Sequence, residues 1–142
     1  DKKIIPWAGF CEVHRRFRIV EVEAARKRHP EALLMVHPET DPEVFELADV
    51  VTSTGGMVRA AKENPHKSFI IGTEEGLIYR LRKENPDKEF FSLGSAKICE
   101  NMKKIRLRHV LNALRNDQYR VEVDSEIARR AKHALDEMLH YV

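Results

Sequence analysis

Cysteine is scarce, with only Cys11 and Cys99 in 142 residues. A secreted disulfide scaffold would carry several in a shorter chain, so bridges are excluded as the main source of stability and reduced thiols or metal ligands are the expected roles. No apolar run approaches the roughly 20 residues a helix needs to cross a bilayer. A basic, apolar, small-residue leader is also missing, so we expect a cytoplasmic protein with no membrane partner. Charge of one sign is not in excess either: 25 basic residues against 23 acidic ones leave +2, with the signs mixed along the chain. That leaves no electrostatic footprint for nucleic acid, and a small-molecule partner is expected instead. There is no low-complexity linker, and 42% hydrophobic residues in this length suit one compact core. The chain opens on Asp1 rather than methionine, directly on a strand-like run, which leads us to expect a fragment.

What is present is a βα pulse. Short apolar runs at 3–6, 32–36, 50–51, 68–71, 89–93 and 119–123 have strand length. Helical patterns fall at 20–28, 42–47, 56–63, 76–84, 101–114 and in a closing segment that Asp124 or Ser125 can cap. Pro30, Pro65 and Pro86 each close a helix before the next strand. In the last two helices, Leu107, Val110, Leu111 and Leu114, then Ile127, Ala131, Leu135 and Met138, form stripes expected to face inward. Strands alternating with helices predict an α/β fold, a three-layer αβα arrangement around a parallel sheet.

The unusual polar residues lie just after the strands: Cys11 and His14, His37 and Glu39, Ser53 and Thr54, Thr73 and Glu74, then Cys99. In an open parallel sheet those positions gather on one edge, where the ligand crevice forms. His37 and Glu39 flank Pro38, which holds the segment extended, and an imidazole beside a carboxylate can exchange protons near neutral pH. Ser53 and Thr54, followed by Gly55, Gly56 and a helix start, suit a phosphate or carboxylate, though they also read as ordinary helix caps. Thr73, Glu74 and Glu75 read as a structural cap with acidic residues in the first turn, an inward-facing Glu74 being the lesser alternative. His14 beside Arg15 and Arg16 reads as a solvated histidine, and Trp7 and Phe10 read as packing groups.

Gly9-Phe10-Cys11-Glu12-Val13-His14 with Phe17, Val36-His37-Pro38-Glu39, Ala48-Asp49 with Ser53-Thr54-Gly55, Ile71-Gly72-Thr73-Glu74-Glu75-Gly76, and Cys99-Glu100-Asn101-Met102-Lys103 together resemble the C-terminal portion of quinolinate synthases, in order and in spacing. The resemblance implies an enzyme of NAD biosynthesis that condenses iminoaspartate with dihydroxyacetone phosphate to quinolinate, with loss of phosphate and water. It implies a fold of three similar α/β domains around a pseudo-threefold axis, and a 4Fe-4S cluster held by one cysteine from each. Cys11 and Cys99 would be two of those ligands, and the third would come from an N-terminal segment absent here. His37 and Glu39 are implied as catalytic acid-base residues that also bind substrate, with His14, Ser53 and Thr54 as further substrate contacts.

On this reading residues 1–11 end a preceding domain and bear the first ligand loop, 12–99 form the α/β domain, and 100–142 form a C-terminal helix-strand-helix segment. Thr40 stands where many relatives place a cysteine, and Thr52 replaces a frequent glycine. Two other readings stay open at the level of sequence. One is a zinc-binding α/β module using Cys11, His14, His37 and Cys99, and the other is a non-catalytic truncated domain.

Overall fold

The computed structural model describes residues 3–6 and 8–141. A short 3-10 helix, His14–Arg16, precedes α1, Ile19–Arg28. The elements β1 (Leu33–Val36), α2 (Pro42–Phe45), β2 (Val50–Val51), α3 (Thr54–Glu63), β3 (Ser68–Gly72), α4 (Gly76–Glu84) and β4 (Glu89–Ser92) then alternate. Pro42 opens α2, where its missing N–H costs nothing, and the Ser53 hydroxyl starts α3 by accepting the Gly56 N–H at 3.2 Å. All three strand pairings are parallel, and the strand order is β2-β1-β3-β4. The chain thus leaves β1 toward β2 on one side and returns to β3 on the other, so a topological switch point lies between β1 and β3.

Alternation along each strand builds two cores. Leu34, Val36 and Ile70 point to the face covered by α1 and α2, where Phe17, Val22, Ala25 and Val44 are buried. Met35, Phe69, Ile71 and Phe90 point to the opposite face, against Met57 and Ala61 of α3 and Ile78 and Leu81 of α4. A sheet buried on both faces explains why its strands read as continuous apolar runs. Ile70 is fully buried, so Ile70→Ala should cost about 2–5 kcal/mol, read from urea unfolding of the two proteins. Gly72 ends β3 where there is no room for a side chain: a Cβ there would lie 2.8 Å from Val36 Cγ1 and 3.1 Å from Leu93 Cδ2.

The chain divides into two compact units, Asp1–Glu100 and Asn101–Val142. The helix expected at 101–114 is interrupted: α5 is Glu100–Lys103 and α6 is Leu107–Asn116. Arg106 lies between them with extended backbone, and its N–H donates to His109 Nδ1 at 3.1 Å, which starts a new helix. α7, Ser125–Leu139, begins as anticipated, with the Asp124 carboxylate accepting the N–H groups of Glu126 and Ile127. The two apolar stripes do not face inward. Leu107, Val110, Leu111 and Leu114, and Ile127, Ala131, Leu135 and Met138, are all exposed. Periodicity fixes that a helix has an apolar face but not what covers it.

No strand forms at 3–6 or 119–123 among the described residues. After α6, Asp117 and Tyr119 both take left-handed backbone, with φ of 51° and 66°, which is incompatible with an extended run starting at Tyr119. Trp7 lies outside the described residues, and Phe10 is exposed rather than packed, with the Arg15 guanidinium 5.4 Å from its ring centre.

Candidate functional site

The sheet places the strand-end residues on one rim, and the tightest group forms at the switch point. His37 follows β1 directly, and its N–H donates to the Gly72 carbonyl at 3.1 Å, extending the β1 and β3 pairing by one bond. Thr40 then closes the turn, its N–H and hydroxyl both donating to the His37 carbonyl, at 3.0 and 2.9 Å. This leaves Glu39 at the tip, beside the segment that carries Cys11 and His14. Buried Val13 and Phe17 anchor that segment from below. Arg15 and Arg18 tie it to Asp41 at 2.7 and 3.3 Å, which fixes it against the loop after β1.

The two imidazoles stack, with ring centres 3.9 Å apart and planes 6° from parallel. His14 Nδ1 lies 3.3 Å from Glu39 Oε2, and His14 Nε2 lies 2.8 Å from Thr73 Oγ1. A carboxylate oxygen only accepts, so Nδ1 carries the His14 proton and the Thr73 hydroxyl donates to Nε2. His37 Nδ1 accepts the Glu39 N–H at 3.3 Å, so the neutral ring carries its proton on Nε2. Burial, and then the neighbouring His37, push the His14 pKa below that of an ordinary imidazole, while Glu39 partly opposes the shift. Burial likewise lowers the His37 pKa, again with Glu39 opposing. Both rings are therefore held neutral near pH 7, which stacked imidazoles require because two imidazolium charges face to face would repel.

Cys11 joins this group, since its sulfur, a ring nitrogen of His14 and a carboxylate oxygen of Glu39 all lie within 4.8 Å of one another. Cys99 stands on the loop after β4, and its N–H donates to Glu74 Oε1 at 3.4 Å. The other oxygen of that carboxylate accepts the Gly76 N–H at 2.8 Å. Thr73 and Glu74 are thus adjacent residues reaching in two directions, one to His14 and one to Cys99. Both are buried, and Thr73 does not cap α4, whose N-cap is Glu75. A capping role expected for Thr73 is thus replaced by its bond to His14, while Glu74 both caps Gly76 and turns inward to Cys99; their place directly after β3 is the same signal that singled out His37 after β1. His14 is buried rather than solvated. Ser53 and Thr54 stand on the same rim one strand further out, after β2, and are exposed.

Both cysteines are free thiols and partly buried. In kind they suit iron and sulfide, because soft thiolates favour such clusters. In number they supply two ligands of a set that needs more. Both nitrogens of His14 already have partners in Glu39 and Thr73, which leaves the thiols as the least committed donors of the group.

No helix among the described residues is long and apolar enough to cross a membrane. The sequence profile of the Quinolinate synthetase A protein family matches residues 1–140. Over 139 residues the chain is 50% identical to a quinolinate synthase of Thermodesulfovibrio yellowstonii and 48% identical to one of Methanoregula boonei, covering 98% of this chain and 46% of each relative. A quinolinate synthase of Thermococcus onnurineus is 46% identical over 140 residues, 97% of this chain and 46% of its own. The chain therefore spans just under half the length of these curated relatives. With an α/β sheet whose switch point gathers Cys11, His14, His37, Glu39 and Thr73, and a match running through nearly every residue, the chain belongs to the quinolinate synthetase A family.

Proposed function

We propose that this chain supplies the C-terminal part of a quinolinate synthase active site, in which iminoaspartate and dihydroxyacetone phosphate condense to quinolinate, phosphate and water. The observation that carries the reading is the convergence of Cys11, His14 and Glu39 at the switch point of a chain that matches the family throughout. Cys11 and Cys99 would hold two corners of a 4Fe-4S cluster, the third ligand coming from the part of the relatives' length not spanned here. When bound, such a cluster leaves one iron without a thiolate, able to act as a Lewis acid toward a hydroxyl or carboxylate.

The chain's own residues have separable tasks. His37 presents Nε2–H as a proton donor toward a substrate oxygen, while its Nδ1 is fixed by the Glu39 N–H. Glu39, half exposed at the rim, is the base that takes a proton from a substrate carbon or nitrogen during enamine formation and elimination. His14 is locked between Glu39 and Thr73, so it orients that carboxylate and lines the substrate pocket. Ser53 Oγ already accepts a backbone N–H, but its proton remains available to an acidic substrate group, and Thr54 stands beside it at the positive end of α3. Two free thiols in so short a chain suit a reducing, cytoplasmic setting.

Anaerobic reconstitution with iron and sulfide, in the presence of the N-terminal segment that completes the relatives' length, is expected to give an oxygen-sensitive visible absorption band and quinolinate. A second reading draws on the mixed sulfur, nitrogen and oxygen donors of Cys11, His14 and Glu39, which also suit zinc. Metal analysis separates the two. Iron with labile sulfide supports the synthase, and stoichiometric zinc without sulfide supports a zinc module.

A further inference from the structure

Lysine is rarely buried without a partner, and Lys97 is only 7% exposed. It sits on the loop between β4 and Cys99, two residues before the cysteine. Its ammonium lies 2.6 Å from Glu21 Oε1, 2.8 Å from Ser95 Oγ and 3.2 Å from the Ser95 carbonyl, and 5.2 Å from the centre of the Phe17 ring. The same Glu21 oxygen accepts the Ser95 N–H at 3.3 Å, and the other accepts the Arg18 N–H at the start of α1. Gly94 turns the loop with φ of 71°, and a Cβ there would lie 2.8 Å from Glu21 Cγ. Arg16 also reaches the loop, donating to the Ile98 carbonyl at 2.9 Å, while the Glu75 N–H donates to the Lys97 carbonyl at 3.0 Å and ties the loop separately to the start of α4.

These contacts join two stretches far apart in sequence. Arg16, Arg18 and Glu21 belong to the segment just after Cys11, whereas Gly94, Ser95, Lys97 and Ile98 lead into Cys99. We propose that the ion pair between buried Lys97 and partly buried Glu21 is the strut that sets the Cys99 loop against the Cys11 segment, making both positioning residues for the two thiols. The functional part of this rests on the reading of Cys11 and Cys99 as cluster ligands. The link to the Cys11 segment runs through side chains because past Leu93 the loop has left the sheet ladder, and the Cys99 N–H donates to the Glu74 carboxylate at 3.4 Å. Burial alone would raise the Glu21 carboxyl, but the bonds it accepts from Lys97, Ser95 and Arg18 outweigh it and hold the group below the usual carboxylate range.

Two variants test the strut. Lys97→Met leaves the partly buried Glu21 carboxylate without its cation, while Glu21→Leu with Lys97→Met removes both charges and the acceptor of the Ser95 N–H, and so regains global stability without restoring the tether. In amide exchange on the 142-residue chain, Ser95 and Cys99 should exchange about tenfold faster or more in both proteins, while Ile70 and Ile71 of β3 in the double variant stay as in the parent. Unchanged exchange at Ser95 and Cys99 in the double variant, or acceleration spread equally over β3, overturns the strut. In the reconstituted enzyme completed with the N-terminal segment, the double variant should lose iron to a chelator several-fold faster than the parent and show an altered cluster EPR spectrum. If Cys99→Ser abolishes the cluster while the double variant matches the parent in both measurements, the positioning role fails and the ligand reading stands. If Cys99→Ser keeps its cluster, the ligand reading fails, whereas the exchange result still decides the strut.

Discussion

Replacing Glu39 by glutamine in the enzyme completed to the length of its relatives is expected to lower turnover by about a hundredfold or more, with iron and sulfide content unchanged. Glutamine keeps the size of the side chain and can still accept from His14 Nδ1 through its carbonyl, so the stacked imidazoles keep their places. What disappears is the ability to take a proton. A second readout ties the loss to this geometry. Glu39 opposes the downward shift of the His14 pKa, so removing its charge should move the His14 titration to still lower pH, measurable by NMR on the isolated chain. The sign is definite: with the anion gone, burial and His37 meet weaker opposition and the neutral ring is favoured over a wider range. Full activity in Glu39→Gln would remove this residue from the proton-transfer role.

Cys99→Ser should abolish sulfide-bound iron in the reconstituted enzyme while leaving the sheet intact. A serine hydroxyl is a hard and weakly acidic donor, unable to replace a thiolate on iron, yet it matches the thiol in shape and preserves the backbone N–H that donates to Glu74. Cys99 follows β4 rather than lying within it, so the two cores are untouched by the change. Cys11→Ser should act in the same way, and its additional neighbours His14 and Glu39 offer a control. If iron content survives either substitution, that cysteine is not a ligand.

Much of the sheet was legible because its signal is local. β1 and β3 are apolar runs buried on both faces, the edge strand β4 is marked by buried Phe90, and Pro30, Pro65 and Pro86 end the intervening helices within a few residues of the structure's own bounds. The expected strands at 3–6 and 119–123 fail for a reason no local pattern contains. A strand exists only through the backbone groups of a neighbour, and an apolar run does not say whether one is there. The positions of His37 and Glu39 after β1 and of Cys99 after β4 were legible from the strand pattern, whereas Cys11 was placed by a run at 3–6 that forms no strand among the described residues. The contact of Thr73 with His14 spans 59 residues, and that of Lys97 with Glu21 spans 76, so their roles become visible only once the sheet has brought the segments together. Lys97 was further hidden by its type, since a lysine in a loop reads as solvated until its burial is seen.

The missing side chain of Gly72 reaches further than packing. At that point Val36 from one strand and Leu93 beyond another meet across a single α-carbon, and the carbonyl of the same residue receives the His37 N–H. A methyl group added there would have to push one of its neighbours aside, and the displacement would be handed directly to the imidazole next along the chain. The geometry of the rim thus depends on an inert residue beneath it, and a shift in the placing of His37 can begin with a change that touches none of the rim's polar groups.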